Sequence, residues 1–163
     1  MSKTVKTLYL MSGIPASGKS TYARKLAASN GAVYVSRDEI RFAILKDNED
    51  YFSHEDEVFD LFIMNIQKTL DSGNDCIADA THLNLMSRLK TLLRLNLTDV
   101  RVVLIIMETP IEECLSRNSK RTGRTRVPDV VVKKMWITYK APIGEELGRY
   151  AQILHIRKDD YDE

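Results

Sequence analysis

A chain of 163 residues lies close to the roughly 150 residues of an average domain, so it has room for one folded unit and none for a second catalytic module. Hydrophobic residues at 44%, charged residues at 29%, and only 4 Pro and 7 Gly exclude disordered, collagenous and membrane chains. With 24 Lys and Arg against 23 Asp and Glu, the formal charge of +1 is too small to hold long nucleic acid by counterion release, so any nucleic-acid role must be local.

In chain order, the first apolar run, Leu8 to Met11, is far shorter than a signal-peptide core or a membrane span, and no small-residue cleavage site follows it. It predicts a soluble, cytoplasmic protein with no membrane partner. Strands are predicted at Thr7–Met11, Ala32–Val35, Cys76–Ala80, Val100–Met107 and Gln152–Ile156. They alternate with segments of helical period, the pattern of a parallel sheet with crossover helices, and their nearly continuous apolar character fits burial on both faces.

The helix signals are equally legible. A helical segment, Thr21 to Ala28, follows the first strand. Ser36-x-x-Glu39 and Thr109-Pro110-Ile111-Glu112 have capping-box form, the second with Pro at the first helical position, so two helices should begin directly after strands. Ser53 or a neighbour should open a long helix to about Leu70, with Val58, Leu61, Phe62, Ile66 and Leu70 on one stripe, ended by Asp71-Ser72-Gly73-Asn74. Asn84 should cap a helix through Leu95. Pro128 should open one through about Tyr139, which Ala141-Pro142-Ile143-Gly144 terminates. The expected fold class is α/β, a five-stranded parallel sheet with helices on both faces.

Cys76 and Cys114 fall in a strand and a helix without metal or redox spacing and read as buried structural thiols. Charge is uneven along the chain. From Asp47 to Asp60 there are seven acidic residues and no basic one, which reads as a solvated helix face; Arg117 to Arg126 holds five basic residues and no acidic one.

Gly13-Ile14-Pro15-Ala16-Ser17-Gly18-Lys19-Ser20 fits G-x-x-x-x-G-K-[ST], after an apolar strand and before a helix. The spacing turns the chain from strand to helix around a phosphate, with backbone N–H groups inward and the helix N-terminus facing the anion. Side chains would block that approach at Gly13 and Gly18. Lys19 then reaches the β- and γ-phosphates and the Ser20 hydroxyl ligates Mg²⁺, with Ser17 and Thr21 completing the nucleotide contacts. ATP or GTP binding, and with it a P-loop NTPase fold, is the firmest expectation, with ATP and Mg²⁺ as the cofactors.

Ligands of parallel sheets bind at the strand ends. Ser36-Arg37-Asp38-Glu39-Ile40-Arg41 follows the second strand and lets a carboxylate and a guanidinium look into one crevice. Asp38 can take the proton of an alcohol acceptor, and Arg41 can hold an acceptor anion, preferably a phosphate. At the third strand, Asp79 suits a Mg²⁺-bound water or Ser20, while Thr81 and His82 are expected to point into the cleft towards substrate. The basic segment 117–126 runs from a helix into a Gly-containing turn before Pro128. It reads as a mobile cationic lid, residues 117–128, that closes over phosphates and stabilises charge on the leaving oxygen.

These residues resemble the 5′-hydroxyl polynucleotide kinase family, and more broadly the small P-loop kinases, over nearly the whole chain. The most specific element is Arg117-Asn118-Ser119-Lys120-Arg121 followed by Val127-Pro128 and a helix. The resemblance implies that Lys19 and Ser20 handle ATP and Mg²⁺, that Asp38 is the general base, and that Arg41 binds the phosphate 3′ to the attacking hydroxyl. Arg121 would act on the ATP phosphates, with Arg117 near the adenine or its phosphates. Asp79-Ala80-Thr81 matches the family's Asp-x-Thr, whereas His82 stands where Asn is expected and the turn after Arg121 is one residue longer. The phage member carries a phosphatase domain after its kinase domain; 163 residues correspond to the kinase part alone.

The expected function is transfer of the ATP γ-phosphoryl group to a 5′-hydroxyl end of RNA or DNA. Two alternatives stand beside it. One is a kinase of a small hydroxyl metabolite or a nucleoside monophosphate; the other is a non-catalytic nucleotide-binding module. Simple ATP hydrolysis is a last alternative; Lys19, Asp38 and the lid arginines together argue against the binding module, which has no use for a base beside the γ-phosphate.

Overall fold

A computed structural model describes residues 5–161. Its elements in chain order are β1 (Lys6–Ser12), α1 (Lys19–Asn30), β2 (Val33–Ser36), α2 (Arg37–Ile44), α3 (Glu55–Asp71), β3 (Cys76–Asp79), α4 (Leu85–Leu93), β4 (Val100–Met107), α5 (Ile111–Ser119), α6 (Asp129–Thr138) and β5 (Gln152–Ile156). The strands form one parallel sheet in the order β2-β3-β1-β4-β5. β1 is central, with Leu8 opposite Cys76 on one side and Val102 on the other. The chain therefore leaves β1 in both directions, and a crevice opens at its C-terminal end.

The runs read as strands are strands because both faces are covered. Leu8, Leu10, Cys76, Ala78, Val102 and Leu104 face Phe59, Phe62, Ile63 and Ile66 of α3 and Leu92 of α4. Met11, Ile77, Val103 and Ile105 face Ala23 and Leu26 of α1 on the opposite side. A third, smaller cluster joins Ile14 and Ala16, in the loop after β1, to Cys114 of α5 and Val132 of α6. That cluster seats the two helices flanking the basic segment directly on the phosphate loop. Both cysteines are buried free thiols, as expected.

Side-chain caps open two of the six α-helices described, α2 and α4. The Ser36 side chain accepts from the Glu39 amide, but Glu39 turns to Arg24, so only half of that capping box forms. Asn84 and Ser87 make a complete one. At α5 the expectation fails: Pro110 is the cap, and the Thr109 hydroxyl donates to the Ser17 carbonyl at 2.6 Å instead. On α3 the stripe includes Phe59 and Ile63, while Leu61 is only half-buried. Among the described residues, no helix is long and apolar enough to cross a membrane.

Candidate active site

The loop after β1 is held from three directions. The Gly13 amide donates to the Thr81 carbonyl at 2.9 Å, tying the loop to the end of β3. From beneath, Thr109 and Tyr161 both donate to the Ser17 carbonyl. Gly18 caps α1 at φ +94°, a left-handed conformation that glycine adopts without penalty. A Cβ there would lie 2.5 Å from the Tyr161 hydroxyl oxygen, and one at Gly13 would lie 2.7 Å from Ser17 Oγ. Both positions are sterically closed to side chains, as a phosphate cradle requires.

Three observations fit a nucleotide phosphate here. Ser17 Oγ is buried and makes no hydrogen bond among the described residues. The N-terminus of α1 has no side-chain cap, which leaves its first amides for an anion. Lys19 folds over the loop, donating to the Ile14 carbonyl at 2.9 Å. Burial pushes its ammonium below the usual lysine value; the carboxylates of Asp79 and Asp38 act against that shift, and Arg121 adds to it. These three charges thus act on Lys19 from β3, α2 and the basic segment.

Ser20 donates to Asp79 at 3.1 Å, the pair expected to hold a metal-bound water or the metal itself. Tyr34, which sequence reasoning missed, donates to the same oxygen of Asp79. Burial, then the Asp79 carboxylate, holds that hydroxyl protonated well above the usual tyrosine range. Asp79, itself buried, is left with one oxygen for other partners. Thr21 is exposed on the first turn of α1.

On the acceptor side, Asp38 and Arg41 form a direct ion pair on α2. Arg41 is 4% exposed. Glu55, at the start of α3, receives its Nε at 2.8 Å and its Nη2 at 3.0 Å and also pairs with Arg37 at 3.0 Å. Tyr51 donates to Asp38 and accepts from Arg41. Glu55 and Tyr51 come from the acidic run, which therefore does more than solvate a helix: one of its carboxylates pairs with two arginines beside the crevice. Arg41 is present where expected, but it is fully engaged by protein partners.

His82 is a correction. It does not point into the cleft. Its backbone adopts φ +41° and turns the ring inward, where Nδ1 meets the Met11 carbonyl at 2.7 Å and Nε2 the Thr91 hydroxyl at 2.9 Å. A carbonyl can only accept, so Nδ1 carries the proton and Thr91 donates to Nε2. Burial pushes the imidazole down to about 4, which keeps it neutral. Thr81 contributes its carbonyl to the loop. The fully buried pair Arg88–Glu146, also missed, fixes this corner: Arg88 donates to the His82 and Lys140 carbonyls.

In the basic segment, the Asn118 side chain bonds both the amide and the carbonyl of Val127, tying the two ends of residues 118–127 together. Arg117 donates to the Tyr161 hydroxyl at 2.8 Å, with its guanidinium 5.4 Å from that ring's centre. Arg121 is exposed. Arg124 crosses the crevice, donating to the Leu45 carbonyl at 3.2 Å and lying 5.3 Å from the Phe42 ring. The basic segment thus reaches the α2 side through Arg124.

Similarity to known proteins agrees with this geometry. The chain is 24% identical over 166 residues to a protein of Autographa californica nuclear polyhedrosis virus named as a bifunctional polynucleotide kinase/RNA ligase, covering 88% of this chain and 23% of the relative. Its fold resembles a chain of the Pnkp1/Rnl/Hen1 RNA repair complex, with a TM-score of 0.73, 24% identity, and coverage of 84% of this chain and 45% of that one. It also resembles a sugar kinase from Janibacter sp. HTCC2649, with a TM-score of 0.65, 17% identity, and coverage of 94% and 85%. The chain spans less than half of either RNA-related protein and most of the sugar kinase. The family described as AAA domain matches residues 8–142. With its phosphate loop at the end of a central parallel strand and kinases among its relatives, the chain belongs to the AAA domain family and has the kinase-like P-loop NTPase fold.

Proposed function

We propose that this chain is a single kinase domain, with residues 117–128 as its lid, that transfers the γ-phosphoryl group of ATP to a 5′-hydroxyl end of RNA or DNA. The observation that carries the reading is the Asp38–Arg41 pair: an exposed carboxylate on α2, the helix that follows the second strand, bonded to a buried arginine and among the charges that act on Lys19 of the phosphate loop. A binding module has no use for a base beside the γ-phosphate position.

Gly13, Ser17, Gly18, Lys19, Ser20 and Thr21 would contact the nucleotide, with Arg117 towards its base. Ser20 and Asp79 would hold Mg²⁺, which when bound neutralises phosphate charge. Asp38 accepts the proton of the 5′-hydroxyl as its oxygen bonds to the γ-phosphorus and the bond to the β–γ bridging oxygen breaks, leaving ADP. Arg121 approaches the phosphates from the lid and stabilises charge on the departing oxygen. Arg41, oriented by Glu55, exchanges its contact with Asp38 for the phosphate 3′ to the attacking hydroxyl, with Thr81 nearby at the end of β3. That exchange frees Asp38 to act as a base.

The likeness to a polynucleotide kinase/RNA ligase over most of this chain supports an oligonucleotide acceptor, and the weak net charge fits a protein that holds only a strand end. The likeness to a sugar kinase favours a second reading, a small hydroxyl acceptor using the same base. Transfer of label from γ-labelled ATP to a panel of 5′-hydroxyl RNA and DNA oligonucleotides, nucleoside 3′-monophosphates, nucleoside monophosphates and sugars tests both. Label on the oligonucleotides or 3′-monophosphates supports the first; label confined to sugars supports the second.

A further inference from the structure

The segment between α2 and α3 carries aromatic residues to the acceptor side of the crevice. Tyr51 donates its hydroxyl to Asp38 at 2.5 Å, so its ring stands immediately beside the proposed base. The Phe52 ring meets Tyr51 edge to face at 4.7 Å, and Phe42 of α2 lies 6.0 Å from Tyr51. Two cations border the rings: Arg41, 4.1 Å from the Tyr51 centre and 6.0 Å from that of Phe52, and Arg124 of the lid over Phe42. Yet Phe52 leaves 59% of its surface in water. A lone exposed Phe needs no explanation, but this one caps an aromatic cluster at the mouth of a charged crevice.

We infer that Phe52, backed by Tyr51 and Phe42, is the stacking platform for the nucleobase of the acceptor's 5′-terminal nucleotide. The inference rests on the 5′-hydroxyl reading above and names the part of the acceptor that reading leaves unplaced. The chemistry selects a neutral π-surface over an anion. Asp56 and Glu57 line the same shallow hollow as Phe52, and their carboxylates repel phosphate from the ring while leaving its face open to an uncharged base. Every base presents such a face, so the platform holds any of them without reading sequence. Phe52 stands against Tyr51, whose hydroxyl bonds Asp38, so its exposed ring lies on the side of the crevice that the base of a nucleotide with its 5′-oxygen at Asp38 can reach. Downstream phosphates then leave towards Arg41 and Arg124 rather than across the acidic side.

The test compares two 5′-hydroxyl oligonucleotides that differ only in having a base or an abasic sugar at the 5′ terminus, with wild type, Phe52→Ala and Phe52→Trp. Removing the base should raise KM for the oligonucleotide about ten- to a hundredfold in wild type. Phe52→Ala should raise KM for the base-bearing strand towards the abasic value and leave the abasic strand unaffected. Phe52→Trp should restore the difference, and KM for ATP should be unchanged in all three. Equal KM for both strands in wild type, or equal losses on both in Phe52→Ala, overturns the platform alone and assigns the ring to a sugar or to the fold. Absence of transfer to either strand overturns the 5′-hydroxyl reading and takes the platform with it.

Discussion

Glu55 grips the guanidinium of Arg41 along its Nε–Nη2 edge at 2.8 and 3.0 Å, across the junction of α2 and α3. The other edge, Nη1, faces Asp38 and Tyr51. A fork held on one side presents the other in a fixed direction, so Glu55 positions the arginine proposed to receive the acceptor phosphate. Glu55→Gln keeps the shape and removes the charge. It should raise KM for the acceptor about tenfold with little change in KM for ATP, and cost about 1–3 kcal/mol of stability because a buried guanidinium loses its counter-charge. Steady-state kinetics with each substrate varied in turn, together with urea unfolding, measure both. A rise confined to KM for ATP would place Glu55 with the nucleotide instead.

Gly18 is closed to substitution twice over, by its φ of +94° and by the Tyr161 ring. Gly18→Ala should cost about 2 kcal/mol and abolish measurable ATP binding, since the strained residue also begins the helix that faces the phosphates. Adding Tyr161→Ala removes the steric conflict but not the backbone strain. Because Tyr161 is itself buried and holds the Ser17 carbonyl and Arg117, the double variant should lose less stability than the two single losses summed, read by thermal unfolding, and should not regain ATP affinity, read by calorimetric titration.

Two arginines of the proposed lid, Arg117 and Arg121, should separate kinetically. Arg121 is exposed and its charge reaches Lys19, so Arg121→Ala should lower kcat by about a thousandfold or more while KM for ATP changes little. Arg117 is packed against Tyr161 beneath the loop, so Arg117→Ala should act mainly on KM for ATP. Opposite patterns for the two variants would exchange their roles.

His82 gives the fold an acid sensitivity of known sign. Its folded pKa, about 4, lies below the unfolded value of 6.5. The unfolded state therefore binds the extra proton between these values. The associated stability is complete above about pH 6.5, falls as pH drops through that window, and is lost by about pH 4, on the order of 3 kcal/mol in all. Asn tolerates the left-handed backbone at this position. Urea unfolding between pH 4 and 7 should show a shallower pH dependence for His82→Asn than for wild type. Parallel slopes would mean that the ring titrates normally in the folded protein.

Much of this was legible in the sequence, for a physical reason. The strands are buried on both faces, so each appears as an apolar run between turns, and all five lie within about two residues of expectation. The phosphate loop was legible because its chemistry is contained in eight consecutive residues. What stayed hidden depends on partners far along the chain. Thr109 has the local form of a cap but bonds Ser17, and Tyr161 meets the same carbonyl from the other end of the sequence. Tyr34, Tyr51 and Glu55 acquire their partners only when α2, α3 and β3 pack. His82 was misread because a strand end usually faces the cleft, and one left-handed residue reverses that.

The central claim is that Asp38 activates a 5′-hydroxyl beside the phosphate loop. It is tested most directly by single-turnover transfer from γ-labelled ATP to a 5′-hydroxyl oligonucleotide, comparing wild type with Asp38→Asn at saturating ATP. The account predicts label at the 5′ end with wild type and a rate about a hundred- to ten-thousandfold lower with Asp38→Asn, with ATP binding retained. Equal rates for the two proteins, or no label on the oligonucleotide with either, would contradict it.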